Sequence, residues 1–330
     1  MTDLQNKNIL LFIPSGKGIY GTAISEEIEG RGARVYVYDE RPSANAYSKL
    51  AFRIAKNQLQ PYFLSYLQKI FSRHKDVKFD FLLIVRGEAF TPGAMKLLKN
   101  NYSEAKFLLY LWDSINYTDT RKIIPFFDKV FSFDSEDASR NQRIIHRPLF
   151  YINDYKKIAT AEPGEIDLTF IGKVHSDRYK FLKEVNRESN KLQLKTFFYL
   201  YFPSKANYYL KRIADPAFSD TRVSDFKFKM LKSKEVANYI SESKACLDSQ
   251  HPSQSGLTMR TIEVLGANRK MITTNQYVRY YDFFRESNIQ IVDINKPIID
   301  LQFISSPFEK IASEIYEKYS LSSWINEIFA

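Results

Sequence analysis

The sequence predicts an α/β protein with two doubly wound domains that face a cleft. Short apolar runs alternate with helical segments along all 330 residues, which is the pattern of parallel sheets covered by helices. The runs are continuously apolar, so both faces of each sheet should be buried. A polar stretch interrupts the alternation near the middle, and a chain of this length is sufficient for two domains.

The first domain is predicted to cover residues 1-155. Its strands are expected at 8–14, 33–39, 79–85, 106–112 and 128–133. Its helices are expected at 22–31, 44–73, 92–100, 119–127 and 135–142. The polar stretch YINDYKKIATAEPGE (151–165) contains a proline and a glycine. We therefore expect it to link the two domains.

The second domain is predicted to cover residues 165-308. Its strands are expected at 166–172, 192–200, 244–249, 270–274 and 289–294. Its helices are expected at 177–189, 203–213, 233–242, 257–267 and 276–285. The remaining segment, 309-330, has the pattern of two amphipathic helices separated near Ser320.

Composition narrows the classes of function. The formal charge is +10, but the basic residues are scattered among acidic ones, so we expect no nucleic-acid partner. The excess of positive charge favours anionic substrates and contact with an anionic membrane face. The alternative is that the additional lysines only solvate the surface. The longest apolar runs are too short to span a bilayer, and the N-terminus has no apolar region of a secretory signal. With a single cysteine, Cys246, these features predict a cytoplasmic protein without disulfides.

A glycine motif follows the first strand. In PSGKGIYG, the spacing of Gly16, Gly18 and Gly21 matches G-x-G-x-x-G, and Asp39 ends the second strand. This is the dinucleotide fingerprint, which makes an NAD(P)-dependent oxidoreductase an alternative. A tight strand-to-helix turn needs the same glycines for packing alone. In that case the loop, with Lys17, would border the cleft and face an anionic ligand.

Charged residues follow the third and fourth strands. Arg86 and Glu88 come after the third strand and Asp113 after the fourth, at the edge where doubly wound sheets bind ligands. They are candidates for acceptor binding and proton transfer, with Asp113 or Glu88 as general base. The alternatives are a surface ion pair for Arg86 and Glu88 and a helix cap for Asp113.

Basic residues open the second domain. Lys173, His175 and Arg178 follow its first strand within one loop and a helix start, a suitable cradle for a diphosphate. His175 could instead be a capping or structural residue. No histidine pair has metal-ligand spacing, and one cysteine excludes cysteine-based zinc sites. We therefore expect no protein-bound metal, while a magnesium ion carried by the substrate remains open.

A helix with a hydroxyl-rich start lies later in this domain. Ser255 and Gly256 are expected to cap it, so that amides up to Thr258 can hold a phosphate. Glu263 lies about two turns in and could accept hydrogen bonds from ribose hydroxyls. It could equally form a local i,i+3 pair with Arg260, and spacing does not decide between the two.

Several motifs together resemble a known family. YLWDS, FDKVFSFDSEDA, LTFIGKVHSDR and QSGLTMRTIEVLGANRKMITTN look like the CgeB-like glycosyltransferases of bacterial capsule and lipopolysaccharide gene clusters. The resemblance runs from about residue 80 to the C-terminus. It implies a GT-B fold of two Rossmann-like domains, with 309-330 crossing back onto the first. It also implies transfer from a nucleotide sugar to a glycan or lipid-linked glycan of a surface-polysaccharide precursor.

The same resemblance assigns roles to residues. In retaining GT-B enzymes two glutamates are separated by seven residues, and the second contacts the ribose, a role that falls to Glu263. Ser255 stands at the first position, so the resemblance implies no particular stereochemical outcome. Lys173 and Arg178 correspond to the residues that bind the diphosphate. The implied enzyme is metal-independent and needs no cofactor. The alternative is that the protein is not an enzyme but a subunit that binds a nucleotide or a sugar.

Overall fold

The computed structural model describes residues 2–16, 18–43, 52, 55–118, 120–174, 176–250 and 255–330. The chain divides into two compact units, each built on one parallel sheet. The first unit comprises Met1–Leu149, Ser253–Gly256 and Leu321–Ala330. The second comprises Phe150–Pro252 and Leu257–Ser320.

The sheet of the first unit has the strand order β2-β1-β3-β4-β5-β6, and its strands are parallel. Its strands are β1 (Asn8–Ile13), β2 (Arg34–Asp39), β3 (Phe81–Val85), β4 (Lys106–Leu111), β5 (Lys129–Ser132) and β6 (Ile144–His146). The first five confirm the predicted strands. The edge strand β6 was not predicted, because three residues beside charged neighbours give too little apolar signal.

Helices flank this sheet and bury its apolar residues. They are α1 (Ile19–Glu29), α2 (Gln60–Arg73), α3 (Pro92–Asn101) and α4 (Ser135–Arg140). Of the helix predicted at 44–73, residues 44–51, 53 and 54 lie outside the described residues, and 55–59 form a turn. The helix predicted at 119–127 is wrong, since only a 3-10 turn forms at Ile124–Phe126. Pro125 lies within it and cannot donate a helical hydrogen bond.

The sheet of the second unit is also parallel, with the order β11-β10-β9-β7-β8. Its strands are β7 (Ile166–Lys173), β8 (Thr196–Tyr201), β9 (Ser243–Asp248), β10 (Lys270–Thr273) and β11 (Ile289–Ile291). They confirm the predicted strands within a few residues at each end.

The second unit has longer helices against the sheet and short ones in its connections. They are α5 (Asn153–Lys156), α6 (Ser176–Lys191), α7 (Lys205–Ala214), α8 (Ser233–Ser241), α9 (Met259–Gly266), α10 (Leu301–Ser305) and α11 (Ser313–Lys318). The helix predicted at 276–285 is wrong, because only a 3-10 turn forms, at Gln276–Tyr280. Its aromatic and β-branched residues are weak helix formers. Helices α5 and α10 were not predicted.

The stretch expected to link the domains belongs to the second unit. Tyr151 pairs with Ser320, α5 follows, and the Ala161 carbonyl accepts a hydrogen bond of 2.6 Å from Arg269. The first segment of the first unit therefore ends at Leu149 and not at residue 155, because backbone pairing and a short helix hold the polar stretch in the second unit.

The last helix, α12 (Leu321–Phe329), packs on the first unit. The Trp324 ring is fully buried and lies 4.9 Å from that of Tyr110. Helix α11 lies in the second unit, where the Tyr316 hydroxyl donates to the Gly266 carbonyl at 2.7 Å. Of the two C-terminal helices expected on the first domain, the structure places only α12 there.

Each sheet has one point where the strand order reverses. It lies between β1 and β3 in the first sheet and between β7 and β9 in the second. In doubly wound sheets the crevice outside the carboxyl ends of such strands is the usual ligand site.

Across the described ranges, no helix combines the length and apolar character needed to cross a membrane.

Candidate functional site

Arg178 spans the reversal point of the second sheet. It lies in the first turn of α6, and its guanidinium donates to the Lys173 carbonyl at 2.9 Å and to the Ser249 carbonyl. It forms no ion pair with any described residue, and its Nε has no hydrogen-bond partner among them. Burial lowers the pKa of Arg178, while the charge of Asp248 opposes that shift. A cation without a bound carboxylate therefore lies between the ends of β7 and β9.

Asp248, the last residue of β9, fixes the start of α9. Its carboxylate accepts hydrogen bonds of 2.9 Å from both Thr258 Oγ1 and Thr261 Oγ1. Thr258 Oγ1 in turn accepts the Thr261 N–H at 3.2 Å and caps the helix. The first turn of α9 therefore begins beside the carboxyl end of β9, where its amides favour an anion.

The predicted cap at Ser255 and Gly256 is wrong. The Ser255 hydroxyl donates to Asp134, and the Ser255 N–H donates to the same carboxylate at 3.2 Å. A Cβ at Gly256 would overlap the Phe133 ring. Both residues belong to the first unit. The capping role falls to Thr258, because the Asp248 carboxylate orients the Thr258 hydroxyl.

Glu263 forms the local ion pair that was one of its two interpretations. Its carboxylate lies 2.8 Å from an Arg260 Nη, and its side chain is 5% exposed. Arg260 also donates to the Ile171 carbonyl at 3.1 Å. The Tyr155 hydroxyl is hydrogen-bonded to the pair, and burial followed by the charge of Glu263 raises the pKa of Tyr155. The ribose contact of Glu263 stays a prediction.

Lys173 and His175 are the two other residues predicted on the donor side. Lys173 ends β7 and is exposed, close to Arg178 through its carbonyl. The prediction for His175, as ligand or as structural residue, falls outside the described residues, as does the loop 251–254.

The first sheet carries a charged cluster at the carboxyl ends of β3 and β4. Arg86, which follows β3 in the left-handed region with φ +75°, forms ion pairs with Glu40, with Glu88 at 3.0 Å and with Asp113 at 3.9 Å. The structure thus brings together the three residues predicted here. The side chain of Asp113 is 27% exposed, against 10% for Glu88.

Glu40 and Arg41 complete this cluster and were missed in the sequence. Arg41 lies 3.6 Å from Glu40 and 3.5 Å from Glu88. Arg41 and Glu40 are both fully buried. Burial raises the pKa of Glu40 against the effect of Arg86. Burial alone would lower the pKa of Arg86. The negative charge of Glu40 and the hydrogen bond between the two side chains outweigh this effect, so the pKa of Arg86 is raised. The available signal was a Glu-Arg pair directly after β2.

The glycine motif after β1 has a packing explanation. Gly16 has φ +51°, and a Cβ at Gly21 would overlap the Gly16 carbonyl oxygen. Gly18 has φ −71° at the start of α1, and a Cβ there would lie 3.4 Å from its nearest neighbour. The tight turn therefore accounts for Gly16 and Gly21. Lys17 lies outside the described residues.

Metal-ligating side chains are not grouped in the part of the chain that the structure describes. No set of three or more His, Cys, Asp or Glu residues there could hold an ion. Cys246 is fully buried within β9.

Comparison with known proteins gives matches only among solved structures. No protein-family model and no curated protein sequence matches the chain. A glycosyltransferase from Rickettsia africae matches with a TM-score of 0.57 and 12% identity over 98% of both chains. Anabaena HepE, solved with UDP and glucose, has a TM-score of 0.57 and 12% identity over 98% of this chain and 99% of its own.

An α,α-trehalose-phosphate synthase (UDP-forming) from Burkholderia xenovorans, solved with glucose-6-phosphate, also matches. Its TM-score is 0.57, with 9% identity over 98% of both chains. The chain has the GT-B fold. At these identities the likeness establishes that fold and no reaction, so the residues of the two GT-B units must support any function.

Proposed function

We propose that this GT-B protein is a glycosyltransferase that takes its sugar from a nucleotide-sugar donor. One observation carries the proposal: the Arg178 cation, without a carboxylate partner among the described residues, lies at the reversal point between β7 and β9. A guanidinium fixed there suits a diphosphate, because its planar donors match phosphate oxygens.

The donor diphosphate would contact Arg178, Lys173 and the first-turn amides of α9 behind Thr258. When the glycosidic bond to the leaving phosphate breaks, negative charge grows on the diphosphate. Fixed donors of this type stabilise such charge by about 2–4 kcal/mol each in comparable sites. This supply of positive charge is the reason for proposing a metal-independent reaction.

The ribose would be held by Glu263. Arg260 and Tyr155 orient this carboxylate, and an ionised carboxylate has about four acceptor positions, so it can accept further hydrogen bonds. Arg260 is a positioning residue in this arrangement, because it acts on the donor through Glu263.

The acceptor would bind at the carboxyl edge of the first sheet, near Gly16, Gly18 and Arg86. We propose Asp113 as the general base, since it is the most exposed carboxylate paired with Arg86. Glu40 and Glu88 would hold Arg86 in place. A base must be able to take a proton from the acceptor hydroxyl, whereas Glu40 and Glu88 are each paired with both Arg41 and Arg86.

UDP is the first nucleotide to test, because HepE was solved with UDP and the trehalose-phosphate synthase is named UDP-forming. The proposed acceptor is a precursor of a capsule, O-antigen or lipopolysaccharide. This part of the proposal rests on the resemblance of the motifs to CgeB-like enzymes.

A nucleotide screen tests the donor site. Thermal unfolding of the full chain is measured with UDP, GDP, CMP, dTDP and NADH, since a ligand of the native state raises its stability. A rise with one nucleoside phosphate supports the proposal, and no response to any of them contradicts it. A rise with NADH that is lost in Gly18→Val would identify the oxidoreductase alternative instead.

A turnover assay separates an enzyme from a binding subunit. The stabilising nucleotide is supplied as its sugar conjugates with cell-surface glycan precursors, and release of the nucleotide is followed with and without acceptor. Acceptor-dependent release supports transfer. Binding without release for every acceptor in a panel of lipid-linked and soluble glycans would favour the non-catalytic alternative.

We also propose that the positive charge, +10 overall, brings the protein to the anionic inner face of the cell membrane, where lipid-linked acceptors lie. Sedimentation with anionic and neutral vesicles at low and high salt tests this. Stronger binding to anionic vesicles that salt removes is expected, and equal binding to both kinds would contradict it.

A further inference from the structure

A cavity lies in the second unit, away from the proposed donor site. Its volume is about 650 Å³, which lies within the range of roughly 300–1,000 Å³ that is usual for small-ligand sites. It lies at the amino ends of β9 and β10, the opposite edge of the sheet from Arg178. The charged residues that line it are Lys244, Arg269, Lys270, Lys310 and Glu162.

Lys270 is a buried ammonium without a carboxylate partner. The residue is 2% exposed, and its Nζ donates to the Phe303 carbonyl and to Ser306 Oγ. No ion pair joins it to a described residue. Carbonyl and hydroxyl oxygens satisfy its donors but leave its charge uncompensated, which is costly in a buried position. Burial accordingly lowers the pKa of Lys270.

Arg269, its neighbour, is in the same condition. It is 4% exposed and donates to the carbonyls of Ala161 at 2.6 Å, Ser241 at 3.0 Å and Ala267 at 3.1 Å. It also forms no ion pair with the described residues. Two adjacent buried cations are therefore held by neutral oxygens only.

The other charged side chains that line the cavity do not neutralise these two cations. Lys244 pairs with Asp167 at 2.8 Å, and Lys310 is exposed and forms no ion pair within the described part of the chain. Glu162 is the one acidic side chain among the described lining residues, and it is exposed. The cavity thus has a positive excess of about two charges beside apolar residues, a combination that favours an anionic ligand.

We propose that this cavity binds a phosphate-bearing small molecule, with its phosphate between Lys270 and Lys310 and its carbon skeleton against Ile304, Pro307 and Phe308. A phosphate near pH 7 carries close to two negative charges, which matches the excess better than a single carboxylate does. The site does not depend on the proposed glycosyltransferase function, because it lies at the other edge of the sheet.

Binding to the full chain tests the proposal. Phenyl phosphate and inorganic phosphate are titrated calorimetrically into the protein and into Lys310→Ala. We expect the variant to lose about tenfold or more in affinity, as is typical for removal of one charge-assisted contact. Lys183→Ala, which removes an exposed lysine of α6 outside both proposed sites, is the matched control and should bind both probes unchanged.

Lys270→Met provides a second readout, provided that circular dichroism shows a native fold. The phosphate-dependent rise in melting temperature should then disappear. If Lys270→Met unfolds, the Lys310→Ala titration decides alone. Unchanged affinity in Lys310→Ala, or an equal loss in Lys183→Ala, overturns the proposal.

The phosphate could come from a soluble metabolite or from a lipid headgroup. Vesicles with the same surface charge, carried either by phosphatidic acid or by phosphatidylserine, distinguish these sources by sedimentation, because the overall charge of the protein acts equally on both. A preference for phosphatidic acid that Lys310→Ala abolishes identifies the headgroup, and binding of phenyl phosphate without such a preference identifies a soluble ligand. If neither probe depends on Lys310, the site does not exist.

Discussion

The guanidinium of Arg178 donates a hydrogen bond to the backbone carbonyl of Ser249 and so ties the first turn of α6 to the end of β9. A second bond, to the Lys173 carbonyl at 2.9 Å, holds it on the β7 side. The side chain is therefore ordered before a ligand arrives. Such preorganisation removes part of the entropy cost of binding an anion.

Replacement of Arg178 by alanine should weaken nucleotide binding. We expect the affinity for the nucleotide found in the screen to fall about tenfold or more, because a charge-assisted contact to the diphosphate is lost. Calorimetric titration measures the effect. Lys180→Ala, an exposed lysine on the same helix, is the control. Unchanged affinity in Arg178→Ala would remove this residue from the donor site.

Asp113 and Glu88 should respond differently to neutralisation. Asp113→Asn is expected to lower kcat by about 10²–10⁴-fold, the usual contribution of a general base. Glu88→Gln should chiefly raise the KM for the acceptor, because Glu88 positions Arg86 at 3.0 Å. Steady-state kinetics over a range of pH separates the two. A large loss of kcat in Glu88→Gln with normal turnover in Asp113→Asn would reverse the assignment.

Two glycines of one motif should differ in their tolerance of a methyl group. Gly21→Ala is expected to cost about 2–4 kcal/mol of unfolding free energy, since its Cβ would overlap backbone. Gly18→Ala should stay within about 1 kcal/mol, because its Cβ has room and its φ is ordinary. Urea denaturation measures both. Equal effects would show that the turn packs differently.

Strand positions could be predicted because parallel strands buried on both faces are written as local apolar runs. The burial of Glu40 could not be predicted in this way. A Glu-Arg pair after β2 is typical of a solvated turn, and its burial depends on Arg86, which is 46 residues away in the sequence. Contacts between distant strands leave no local pattern, so the carboxyl edge was predicted while two members of its cluster were not.

The cap of α9 shows the same limit on a smaller scale. Hydroxyl residues stand at 255 and 258, and either can cap a helix. The choice is made by Asp248, ten residues before Thr258, and by Asp134, 121 residues before Ser255. The sequence could place the helix and its charged pair, but the partner of each hydroxyl depends on the tertiary structure.

The buried thiol of Cys246 should make stability depend on alkaline pH. Burial raises the pKa of Cys246 from 9.0 to about 12. The folded chain therefore holds the thiol proton more tightly than the unfolded chain. The stability from this group is complete below pH 9 and falls as the pH rises toward 12, with a slope of at most about 1.4 kcal/mol per pH unit.

Urea denaturation at pH 8 and pH 10 measures this contribution. Between these values the protein should lose about 1 kcal/mol more unfolding free energy than Cys246→Ala. The comparison with the variant cancels the titration of tyrosines and lysines elsewhere. Equal losses in the two proteins would show that the thiol ionises as readily in the folded chain as in the unfolded one.

The first unit is assembled from three separate parts of the chain, Met1–Leu149, Ser253–Gly256 and Leu321–Ala330. A gene fragment that stops at Leu149 would leave Tyr110 without the Trp324 ring that covers it, and Asp134 without Ser255. A chimaera that exchanges this unit between related proteins therefore cannot be made with a single crossover. It must carry all three pieces, and the smallest of them lies inside the sequence of the other unit.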